Sequence, residues 1–83
     1  MQLGNAERRL EIGKAYRHFK GNYYLVEAVA RDSESEQDLV IYRPLYETEA
    51  ELYARPIEMF LGEVDHEKYP DIEQKWRFER VDL

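Results

Sequence analysis

Residues 14 to 46 read KAYRHFKGNYYLVEAVARDSESEQDLVIYRPLY, and they decide the fold. The apolar positions recur every second residue, the period at which side chains alternate between the two faces of a strand. Lys14 to Phe19 is a first strand. Lys20-Gly21-Asn22 supplies residues that reverse a chain cheaply. Residues 23 to 31 (YYLVEAVAR) form a second strand, with Tyr24, Val26, Ala28 and Ala30 expected on the core face and Tyr23, Leu25, Glu27 and Val29 on the other. The polar connector DSESEQD, long enough for a loose hairpin loop, leads to a third strand, residues 39 to 46. There Val40 and Tyr42 alternate against Leu39 and Ile41, until Pro44 removes a ladder donor and predicts a bulge or an edge position.

Working outward, Leu52 to Arg55 returns as a fourth strand after an exposed loop at residues 47 to 51. Pro56 can open a helical turn through Ile57 to Leu61, with Gly62 closing it. Residues 75 to 82 (KWRFERVD) alternate Trp76 and Phe78 against Arg77 and Glu79 as a last strand. Toward the N-terminus, residues 1 to 12 are expected as an arm, helical from an Asn5 cap or frayed, ahead of one β-rich domain over residues 13 to 83. The expected fold is mostly β: a small SH3-like, partly open barrel of about five strands with one short helical turn. An open α+β sheet with a docked N-terminal helix is the alternative.

The chain has 83 residues, which allows one domain with a modest core. It has no cysteine, so neither a disulfide nor a thiolate zinc site can supplement that core. Seven tyrosines, three phenylalanines and one tryptophan supply bulk with polar tips, suited to a thin domain whose core lies near the surface. No apolar run is long enough to span a bilayer or act as a secretory signal, so a cytoplasmic location is expected and no membrane partner. The net charge of −6 argues against general nucleic-acid binding. That average hides a gradient: residues 1 to 31 hold six Lys/Arg against three Asp/Glu, residues 32 to 83 six against fifteen. A local anion site can therefore survive on an acidic protein.

The succession Tyr16-Arg17-His18-Phe19-Lys20-Gly21, residues 39 to 46 (LVIYRPLY), Arg55-Pro56 with Met59-Phe60, and Arg77-Phe78 resembles the bacterial family known as domain of unknown function 1653, over about residues 13 to 81. The resemblance implies a compact cytoplasmic bacterial domain with no assigned activity. Asp32 stands where the family typically has His, Tyr53 where it has Trp and Glu47 where it has Gly. The first of these departures removes a second histidine from that loop.

Three constellations bear on function. Tyr16, Arg17, His18, Tyr42 and Arg55 are the candidate ligand-binding residues, an arginine-and-tyrosine rim able to fix an anion or stack on a planar ring. Alternation separates Arg17 from Tyr16 and His18, so one side must be chosen. The structural explanation for the same residues is arginine covering tyrosine edges. His18 with Glu34 or Asp32 is the enzyme alternative, a hydrolase-type site. Tyr23, Tyr46 and Tyr53 are the candidates for a protein-interaction or homo-oligomer surface. His18 and His66 are too far apart in sequence to suggest a metal pair, and the scattered glycines form no phosphate loop, so no metal or cofactor is expected. The leading expectation is a non-catalytic binding module for a small anionic or nucleotide-like ligand or a peptide.

Overall fold

The computed structural model describes residues 8–82. Five antiparallel strands, β1 (Ala15–His18), β2 (Tyr23–Arg31), β3 (Asp38–Pro44), β4 (Tyr53–Pro56) and β5 (Phe78–Val81), form one sheet in the order β4-β3-β2-β1-β5, with one helical turn, α1 (Ile57–Phe60). The sheet is not closed, so the fold is the mostly β, partly open small barrel that the strand periodicity predicts. Gly21 makes the β1–β2 reversal at φ +110°, where a side chain would be strained.

One strand breaks its own period. Val26 pairs with Tyr42 and Ala28 with Ile41, so Glu27 is the extra residue of a β-bulge. The bulge flips every later side chain to the opposite face. Val29, expected outside, packs against the core, while Ala28 and Ala30, expected inside, are exposed. An Arg43 Nε to Glu27 Oε1 ion pair of 2.9 Å spans the irregularity. Pro44 has the edge position expected of it: Leu45 N–H turns toward β2, bonding Tyr23 O at 2.9 Å, so Pro44 turns toward β4, whose pairing stops at Tyr42↔Tyr53.

The 32 to 37 connector is more ordered than a loose loop. Asp32 Oδ1 accepts from the N–H groups of Glu34 (2.9 Å) and Ser35 (3.3 Å), and these bonds hold its carboxyl below the usual carboxylate range. An Arg31–Asp38 ion pair of 2.9 Å closes its base.

The core lies inside the bent sheet. Phe60 of α1 stacks on Phe78 of β5 with centroids 4.1 Å apart, and Tyr16, Val26, Val40, Tyr42, Leu61 and Leu10 pack around them. Each fully buried side chain of this size contributes about 1.5–3 kcal/mol. Pro56 is the N-cap of α1 rather than its first helical residue. The segment after α1 then pairs with the segment before β5 through a Glu63↔Trp76 bridge and an Arg77 N–H bond to Gly62 O of 2.9 Å. Residues 8 to 12 have no helix: Arg8 reaches Leu61 O (2.8 Å) and Phe78 O (2.6 Å), and Leu10 is buried. The rest of the expected arm, residues 1 to 7, lies outside the described residues.

Candidate functional site

Pairing of β1 with both β2 and β5 puts His18 where three elements meet. His18 is opposite Phe78 in register, and its ring packs at 4.8 Å on Phe78, 4.4 Å on Phe19 and 6.5 Å on Tyr24. Its Nδ1 accepts from the Lys20 backbone N–H at 3.1 Å, which places the proton of the neutral ring on Nε2. Burial, then the charges of Arg55, Arg77 and Lys20, lower its pKa from 6.5 to about 4. At neutral pH the ring is therefore an uncharged donor.

Tyr24 is the hub of the same face. Its ring lies 5.3 Å from Tyr42, 5.6 Å from Tyr46, 6.2 Å from Tyr53 and 5.7 Å from Phe78. The Tyr24 and Tyr46 hydroxyls are 3.0 Å apart, and that bond raises the Tyr46 pKa above its ordinary value. Arg55 closes the group from β4: its Nε donates to the Tyr42 hydroxyl at 3.2 Å, and its guanidinium lies 5.7 Å from the Phe78 ring. Among the described residues Arg55, Arg77 and Lys20 make no ion pair. Arg77 is instead tied by its Nε–H to Met59 O at 3.2 Å, and the positive charge of all three is felt at the neutral imidazole.

Of the five residues expected to form the rim, the structure brings His18, Tyr42 and Arg55 together. Tyr42 is 4 % exposed, so it positions Arg55 through its hydroxyl more than it offers a surface. Tyr16 is deeper still, at 1 %, with its hydroxyl accepting from Glu11 N–H at 3.0 Å. Burial raises its pKa. Arg17 turns to the other side, donating to Gln74 Oε1 at 2.5 Å on the wall of a hollow of about 640 Å³. Asp71, Glu73 and Glu79 also line that hollow, which makes it a poor place for an anion.

Sequence reasoning missed Tyr24, assigned wholly to the core, and gave Arg77 no role beyond its place in the last strand. Neither had a local signal, since only the β1–β5 register brings Arg77 beside His18. The enzyme constellation does not assemble. His18 sits by the Asn22 end of β2, bonded to Asn22 O at 2.8 Å through its backbone N–H. The turn holding Asp32 and Glu34 follows the other end of that nine-residue strand, roughly 20–30 Å away at about 3.3 Å per residue. His66 bonds Gln74 O at 3.1 Å, and no cluster of metal-ligating side chains occurs among the described residues. Nor, among them, is any helix long and apolar enough to cross a membrane.

No curated protein matches the chain. The crystal structure of a DUF1653 protein from Bordetella bronchiseptica is similar at 28 % identity and a TM-score of 0.71, covering 86 % of this chain and 87 % of that one. The family described as "Protein of unknown function (DUF1653)" matches residues 14–80, a span that runs from the first strand to the last. The chain therefore belongs to the DUF1653 family, and the matched span includes the strands that carry His18, Tyr24 and Arg55.

Proposed function

We propose that this protein is a cytoplasmic, non-catalytic binding module whose face around His18, Tyr24, Tyr46, Tyr53 and Arg55 holds a small anionic ligand bearing a planar ring, a nucleotide-like compound. The observation that carries the reading is Arg55, held by the Tyr42 hydroxyl with its guanidinium 5.7 Å from the Phe78 ring on which His18 packs, and in no ion pair among the described residues. A guanidinium outside any ion pair favours a carboxylate or phosphate, to which its remaining N–H groups can bond. The Nε2–H of His18 adds a neutral donor, and the tyrosine rings offer stacking and edge contacts to a ring. A histidine titrating near 4 is a weak general base at neutral pH, so binding is favoured over hydrolysis.

Titration of the labelled protein with adenosine monophosphate, followed by NMR, tests the reading. Shifts should concentrate at His18, Tyr24, Tyr46, Tyr53 and Arg55. Arg55→Ala should weaken binding about tenfold or more, as loss of a charge-assisted bond implies. No binding, or equal binding by the variant, would sink the proposal.

A protein-interaction reading has its own observation. Leu45, Tyr46 and Leu52 are exposed, and Tyr46 and Leu52 share a shallow hollow with Arg43 and Pro44. Light scattering on a sizing column separates the two readings, because a monomer at high concentration rejects self-association through this patch.

A further inference from the structure

We infer that the face continues past His18 to a second anion site at Lys20, Lys68 and Tyr69, and that the ligand is a short single strand of nucleic acid rather than a mononucleotide. This rests on the functional reading above and extends it. From His18 the rings run on without a gap: His18 to Phe19 at 4.4 Å, then Phe19 to Tyr69 at 5.0 Å. Phe19 is buried, whereas Tyr69 is half-exposed. His18 also packs 6.5 Å from Tyr24, which in turn contacts Tyr46 and Tyr53. Partly exposed rings are thus linked to the imidazole through both Phe19 and Tyr24.

Cations accompany the rings along this path. The Lys20 ammonium lies 5.5 Å from the Tyr69 ring centroid and the Lys68 ammonium 5.4 Å from it, while Arg55 and Arg77 are close enough to His18 to depress its protonation. Both lysines are exposed, and neither makes an ion pair among the described residues, although Asp65, Glu67 and Asp71 share the Lys68 loop. Asp65 Oδ1 accepts instead from the backbone N–H groups of Glu67 and Lys68. Rings and cations outside any ion pair suit a ligand that repeats base and phosphate, since bases stack on aromatic side chains while the backbone follows positive charge. The net charge of −6 repels a long polyanion, which limits the match to a few nucleotides.

The test compares adenosine monophosphate, the adenylate trinucleotide and triglutamate by NMR titration at two salt concentrations. The trinucleotide should bind about tenfold or more tighter than the monophosphate, from added stacking and charge. Lys68→Ala, an exposed change outside the His18 group, should weaken the trinucleotide several-fold. It should also lower the salt slope by about 0.7, and leave the monophosphate affinity unchanged. A trinucleotide no tighter than a monophosphate that still depends on Arg55 overturns this inference and leaves the binding module standing. If neither nucleotide binds, both readings fall. Triglutamate binding as tightly as the trinucleotide also overturns the inference, by reducing the second site to unspecific charge.

Discussion

Arg55 donates its Nε–H to the hydroxyl of Tyr42 at 3.2 Å, diagonally across the β3–β4 ladder in which Tyr42 pairs with Tyr53 and Val40 with Arg55. The bond turns a surface arginine over the aromatic interior, where its guanidinium faces Phe78. A core tyrosine therefore sets the direction of the site's main cation. Tyr42→Phe keeps the ring contacts and deletes the acceptor. Chemical denaturation should show a loss of about 0.5–1.5 kcal/mol, the usual net value of such a bond. Affinity for the anionic probe should fall several-fold because Arg55 is no longer held. An unchanged midpoint together with unchanged binding would refute the coupling.

His18 predicts a pH dependence of stability. Its folded pKa, about 4, lies below the ordinary 6.5, so the unfolded chain takes up the proton first as pH falls. Stability from this group is complete above about 6.5, declines between about 6.5 and 4, and is flat below. Imidazole resonances should titrate near 4 by NMR. Replacing the ring with His18→Gln should flatten the wild-type decline in that window, whatever the carboxylates contribute beneath it. A ring that titrates near 6.5 in the folded protein would contradict this picture.

The bulge at Glu27 predicts an inverted pattern of sensitivity along β2. Val29→Ala should cost about 1 kcal/mol, from lost burial of two methyl groups at a partly buried position. Ala30→Val, on the exposed face, should stay within about 0.5 kcal/mol of wild type. Simple alternation from Tyr24 predicts the reverse order, so one pair of melting curves decides between them.

Arg8 ties the N-terminal segment to the rest of the domain by bonding Leu61 O and Phe78 O and by stacking 4.7 Å from the Trp76 ring. Burial lowers its pKa while leaving it a cation in practice. Arg8→Ala should lower stability by about 1–3 kcal/mol, since it leaves two carbonyls without this donor. Arg8→Lys should recover only part of the loss, because one ammonium lacks the fork that spans two acceptors. Equal melting temperatures for all three proteins would show that the strap contributes nothing.

Much of the molecule was legible from the chain alone. Alternation of large apolar residues placed four strands within a residue or two, and the last, expected from residue 75, starts three residues later at Phe78. Glycine at a turn and proline at the end of β4 marked where strands had to end, because these residues act on the backbone locally. Alternation also separated Arg17 from His18, and the two do face different sides of the sheet. Local rules failed where an interaction between strands overrode them. Glu27 is an unremarkable residue in an alternating run, and only its pairing opposite β3 makes it the inserted one that turns Val29 inward.

The candidate site belongs to the tertiary structure for the same reason. Sequence supplied its residue types and the basic bias of the first 31 residues. It could not bring Arg55 and Arg77 to His18, because no periodicity links positions so distant in the chain. Their meeting depends on β1 pairing with β5 and on β4 folding back along β3, long-range registers that hydrophobic burial fixes only once the sheet bends around Phe60 and Phe78.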